Sequence, residues 1–174
     1  MSPLKFKKMK KRIALSASLL LLIVFFSAET YAQQDALYAS YKTILKNSPV
    51  GSAGINARAI KNFKKEFTTI DNAEWYEIDK GFISKFEKNG IQYRAGYDKK
   101  GNCLNTMRTY DEKQLPEDIR KLVKSSYYDY SIKLVEEVTA SGQTAFIIHI
   151  ENSLRAKKIK VEDGETTILQ EYEK

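Results

Sequence analysis

Residues 82–110 read FISKFEKNGIQYRAGYDKKGNCLNTMRTY. Three short β-rich runs are separated by Asn89-Gly90 and by Asp98-Lys99-Lys100-Gly101. Asn-Gly is a strong two-residue hairpin signal, because both turn positions need positive φ. Asp98 to Gly101 suits a type I turn followed by a glycine in the left-handed region, which leaves a bulge. Such short connections make the runs 82–88, 91–97 and 103–110 antiparallel neighbours. A further strand, 73–78, precedes them. Before that, Asn56 caps a helix whose apolar positions are Ile60, Phe63 and Phe67.

The same order returns further on. Leu115-Pro116 opens a helix, since proline is tolerated in a first helical turn. Glu117 and Asp118 lie at its positive end and Lys121 and Lys124 toward its negative end. Ile119, Leu122, Val123 and Ser126 form its inward stripe. Four strands follow, 131–139, 144–151, 155–161 and 166–172, with Ser141-Gly142 and Asp163-Gly164 as turns. Ile60 and Phe63 align with Ile119 and Leu122, Gly101 with Gly164, and Leu104 with Ile168, at an offset drifting from 59 to 64. Residues 57–113 and 116–174 therefore read as two α-β4 repeats. The expected fold class is α+β, one long antiparallel sheet with both helices packed on one face and a domain spanning 56–174.

Upstream, Lys5 to Arg12 is basic, Ile13 to Phe26 is uncharged and apolar, and Thr30-Tyr31-Ala32 ends in small residues. This is the layout of a signal peptide cleaved after Ala32. An uncleaved anchor is the alternative, although the apolar run is 14 residues where a span needs about 20. Residues 33–55 read as a short helix, with Leu37, Tyr41, Ile44 and Leu45 on one face, and a breaker-rich linker. The chain of 174 residues has a formal charge of +7, which invites a nucleic-acid reading. Six of the 29 basic residues precede Ala32, and the remaining 142 residues carry 23 basic against 21 acidic side chains, a net of +2. The expected location is periplasmic or secreted, without nucleic acid and without a stable membrane anchor after cleavage.

The residues in order resemble a known family. They are Phe63-x3-Phe67, Trp75, Phe86-x2-Asn89-Gly90, Tyr97-Asp98-x2-Gly101-Asn102, Leu115-Pro116 and Tyr127-Tyr128. Together they resemble the beta-lactamase-inhibitor-like, PepSY-like family of small exported Bacteroidetes-type proteins, over residues 57–174. The family often has Phe-Pro where Phe67-Thr68 stands, and an aromatic or apolar residue at Cys103. The resemblance implies tandem α-β4 units and a sheet face free to bind a protein. It does not imply that beta-lactamase is the target.

Strand alternation places Phe82, Phe86, Ala95, Leu104, Ala73 and Trp75 toward the helices. It leaves Glu74, Tyr76, Ile83, Lys85, Glu87, Gln92, Arg94, Cys103, Asn105, Met107 and Thr109 on the other face, continued by Ala145, Ile147 and His149. Tyr, Met and Arg are enriched at protein interfaces, so Tyr76, Lys85, Arg94 and Met107 are candidate partner-binding residues. A merely solvated face is the competing reading. Tyr127, Tyr128 and Tyr130 form a second cluster, in which Tyr127 and Tyr128 are candidates and a packed corner is the alternative.

Nothing points to an enzyme, and no cofactor or metal is expected. One Cys and one His exclude a Cys/His zinc site. His149 has no evident partner for acid–base work. Glu136 and Glu137 point to opposite faces. Cys103 is either a structural thiol or, if exposed, one able to bridge to another chain. Arg155 to Lys160 reads as a solvated edge strand. The expected function is a non-enzymatic binding module engaging a protein partner, inhibition being one outcome. The alternative is a small-ligand carrier with an apolar pocket lined by Tyr93, Tyr97 and Phe146. Partner and oligomeric state are not specified by these residues.

Overall fold

The computed structural model describes residues 49–174; the signal peptide and the 35–46 helix read from the sequence lie outside the described residues. A helix α1 (Ala57–Glu66) leads into β1 (Glu74–Ile78), β2 (Gly81–Lys88), β3 (Ile91–Asp98) and β4 (Cys103–Tyr110). A short 3-10 turn and a helix α2 (Glu117–Ser126) then lead into β5 (Ser131–Ala140), β6 (Gln143–Glu151), β7 (Arg155–Glu162) and β8 (Glu165–Glu173). The eight strands form one sheet in sequence order, each antiparallel to the next.

The local chemistry accounts for these elements. The Asn56 side chain accepts from the Arg58 N–H at 2.8 Å, capping α1. Asn89 and Gly90 both have positive φ (55° and 75°), as do Ser141 and Gly142 (52° and 80°) and Asp163 and Gly164 (50° and 78°). The β3–β4 turn does a second job. Asn62 Nδ2 donates to the Gly101 carbonyl at 2.8 Å and Asn56 Nδ2 to the Lys99 carbonyl at 3.0 Å, so the turn is fastened to α1.

Both helices pack on the same face of the sheet. Under α1, Phe63 meets Trp75 and Phe86 edge-on at 5.4 Å, and Phe86 stacks on Tyr93 at 5.0 Å. Ile55, Ala59, Ile70, Ala95 and Tyr97 complete this core. Under α2, Val123 and Leu115 join Tyr110, Val135, Ile148, Ile150, Ile159 and Val161. Burying an aromatic such as Phe63 contributes about 3–5 kcal/mol against truncation to alanine. Tyr93 packs against the first core, Tyr97 lies within it, and Phe146 lies in the second.

Two features of the strand pairing differ from the sequence reading. The β3–β4 register shifts between Gly96 and Tyr97, which pairs Cys103 with Tyr97. The extra residue turns Cys103 toward the side of the sheet that carries α1 and α2, and Leu104 stands exposed instead of joining the core. The stretch Arg155 to Lys160 is not an edge, because β8 pairs along its outer side. Lys158 and Lys160 are buried in consequence.

Candidate functional site

No described helix lies on the second face of the sheet. The register builds it in rows. Glu74, Lys85, Arg94, Met107, Val138 and Ala145 are successive cross-strand partners from β1 to β6. Beside them run Tyr76, Ile83, Gly96, Asn105 and Ala140. Four of the six expected binding residues therefore meet on one surface. Met107 is 2 % exposed and forms its floor, and Tyr76 is likewise buried. The Tyr76 hydroxyl donates to Glu74 Oε2 at 2.8 Å, and Lys85 Nζ lies 3.9 Å from the same oxygen. Burial first, then the Glu74 carboxylate, raises the Tyr76 hydroxyl above its ordinary pKa.

The other two candidates lie elsewhere. Tyr127 packs against the α2 core at the corner leading to β5, edge-on to Tyr130 at 6.0 Å. Lys157 Nζ sits 5.8 Å and 5.3 Å from the centres of these two rings. Tyr128, at 86 % exposed, points to solvent. The corner thus combines a packed pair with one free ring and does not join the sheet face.

A charged cluster on the face corrects the reading of His149 as partnerless. Its Nε2 lies 3.3 Å from Glu136 Oε2, and Lys158 Nζ lies 3.9 Å from the same oxygen. Burial pushes the Glu136 carboxyl up, but the His149 hydrogen bond, Lys158 and Arg94 outweigh it and hold the group below its ordinary value of 4.5. The β5–β6 turn contains the signal for this pair. A two-residue Ser141-Gly142 turn pairs Ala140 with Gln143, which sets Glu136 against Ile147 and His149 on the diagonal. A carboxylate held ionised beside Lys158 and Arg94 is suited to charge recognition. It lacks the raised pKa expected of a general acid. Among the described residues no cluster of three or more His, Cys, Asp or Glu side chains is arranged to hold a metal, and no helix is long and apolar enough to cross a membrane.

Solved structures of this architecture exist. A DUF2874 family protein from Bacteroides uniformis ATCC 8492 superposes with a TM-score of 0.56 at 14% identity, over 68% of this chain and 88% of that one. A BLIP-like protein from Bacteroides fragilis NCTC 9343 gives 0.56 at 16% identity, over 68% and 86%. The chain has the DUF2874/BLIP-like fold. A Bacteroides eggerthii DSM 20697 structure of this fold carries a provisional periplasmic assignment, with a TM-score of 0.56, 14% identity and coverage of 68% and 88%. The resemblance seen in the motifs is thus matched by structures from Bacteroides. No family model and no curated protein matches the sequence.

Proposed function

We propose that this chain is an exported, non-enzymatic binding module, working in the periplasm or outside the cell, that engages a protein partner through the face of its sheet opposite α1 and α2. The observation that carries this reading is the row Glu74–Lys85–Arg94–Met107, flanked by Tyr76, on a surface bearing no described helix. A buried apolar floor rimmed by Lys, Arg and Glu matches the anatomy of protein interfaces, apolar at the centre and polar around it. The BLIP-like neighbour adds support by analogy of fold, since beta-lactamase inhibitor proteins grip an enzyme through such a face. The same reading takes residues 1–32 as the export signal and 57–113 and 116–174 as two repeats that supply one continuous surface.

The test is capture from the envelope fraction with the purified protein as bait, comparing wild type with Lys85→Glu and Arg94→Glu. Lys121→Glu, on the exposed side of α2, serves as the control. Capture retained by Lys121→Glu and lost by the two face variants supports the reading. Equal capture by all four proteins removes the face from it.

A further inference from the structure

The two outer strands of the sheet differ. The outer side of β1 is bridged by Val50, whose N–H donates to the Trp75 carbonyl at 2.7 Å. Among the described residues no strand pairs with the outer side of β8. Natural edges are blunted by charged side chains, lysine above all, by proline, by bulges or by a covering segment, and β8 carries Glu165, Glu171 and Glu173. Here the lysines stand one strand inward, on β7, and β8 has neither lysine nor proline within Glu165–Glu173. Seven large apolar side chains are exposed among the described residues, and four gather at this edge: Leu154 (72 %), Ile168 (45 %), Leu169 (45 %) and Tyr172 (54 %). The Lys174 N–H donates to the Leu154 carbonyl at 2.9 Å, which brings the β6–β7 turn against the end of β8.

We propose that a second copy of this chain docks on this edge, β8 antiparallel to β8, joining two sheets into one. This inference is independent of the partner-binding face. Its argument is self-complementarity. The β7–β8 register passes from Ile159–Ile168 to Lys158–Gln170, so Leu169 is an extra residue. Strand alternation reverses across it. Thr166, Ile168, Glu171 and Glu173 then share the helix side, and Glu165, Thr167, Gln170 and Tyr172 the other. A two-fold axis between Leu169 and Gln170 keeps these sides matched. It sets Glu165 opposite Lys174 of the other copy, Thr167 opposite Tyr172, Thr166 opposite Glu173 and Ile168 opposite Glu171. No acid faces an acid in this register. Sliding by one residue places Glu165 opposite Glu173 and mismatches the sides. Glu171 is already neutralised by Arg155 at 3.2 Å and Lys157 at 3.4 Å, so it meets Ile168 without an uncompensated charge. Lys174 contacts Glu151 at 2.7 Å and would share its charge with the incoming Glu165. Such an isologous contact closes at two copies and leaves no further edge of its kind exposed.

The test is analytical ultracentrifugation of the exported protein across a concentration series, with Thr167→Lys and Tyr172→Lys as variants and melting temperature as a folding control. The expected result is a concentration-dependent doubling of mass in the wild type, lost in both variants without a fall in melting temperature. Glu165→Cys combined with Lys174→Cys, in a Cys103→Ser background, should oxidise to a covalent dimer, since directly opposed strand positions fall within disulfide reach. A wild type that stays monomeric throughout overturns the proposal. So does a dimer that Lys85→Glu abolishes while the β8 variants leave it intact. A monomer whose β8 variants instead lose a captured protein assigns the edge to a foreign strand and likewise overturns self-docking.

Discussion

Arg108 and Glu137 are direct cross-strand partners on β4 and β5, and their side chains meet at 2.9 Å. This strand pair joins the two α-β4 halves. Glu137 also accepts from the Tyr110 hydroxyl, and the Arg108 guanidinium lies 5.9 Å and 5.3 Å from the Tyr93 and Tyr110 ring centres. The seam is therefore closed on its helix side by a polar network set between an aromatic core and a mainly aliphatic one. Truncating Glu137 leaves a buried phenol and a cation without their acceptor. Glu137→Ala should cost about 2–3 kcal/mol in urea unfolding. A double-mutant cycle with Arg108→Ala should return a coupling of about 1 kcal/mol or more. Strictly additive losses would show that the pair does not stabilise the seam.

Much of this fold is legible in the sequence, because the turns are chemically explicit. Asn89-Gly90, Ser141-Gly142 and Asp163-Gly164 fix strand limits and registers, and Asn56 and Pro116 mark the helix starts. The rows of the face opposite α1 and α2 follow from those registers, which is why Lys85, Arg94 and Met107 are found side by side. The bulge at Leu104 carries no such signal. One extra residue near Gly96 and Tyr97 is invisible to a period-two reading, and it misplaces Cys103 and Leu104. Lys158 and Lys160 depart from the expected solvated edge for another reason. A run rich in lysine has the composition of an edge strand, and only the pairing of β8 along β7 makes it interior.

Glycine at 101 answers two demands at once. Its φ is +82°, and a Cβ added there would lie 2.5 Å from the Ala59 backbone nitrogen. Gly142 has a similar φ, +80°, but open space around it. Left-handed backbone alone costs a non-glycine residue about 1–2 kcal/mol. Gly142→Ala should therefore lose about 1 kcal/mol. Gly101→Ala should lose clearly more, because the turn must also lift from α1. Thermal unfolding of the two variants side by side measures the difference, and equal losses would mean that the turn is not tied to the helix.

Cys103 is exposed as a residue, yet its thiol is hard to ionise. Local burial first, then the nearby Glu66 carboxylate, push it up to about 11, and its Sγ lies 3.7 Å from the Asn105 carbonyl. Against an ordinary thiol this lowers the thiolate present at neutral pH by about a hundredfold. Alkylation by iodoacetamide should be slower than that of a free thiol by a similar factor, and Glu66→Gln should speed it up. A rate matching free cysteine at neutral pH would refute the assigned environment.

Glu136 gives the face its pH dependence. Its carboxyl lies below the ordinary 4.5 because the His149 hydrogen bond, Lys158 and Arg94 outweigh the upward push of burial. A carboxyl depressed by folding adds stability that is fully present above its unfolded pKa. That stability is lost as the pH falls through the folded value. Glu136→Gln should therefore be less stable than wild type at neutral pH, by about 1 kcal/mol or more. The two melting curves should converge in acid, below the ordinary carboxylate range. His149→Ala should move the Glu136 carboxyl back toward its usual value, which a carbon-detected NMR titration reads directly. If the stability difference stayed constant from neutral pH into strong acid, the Glu136 charge would not be what holds β5, β6 and β7 together on this face.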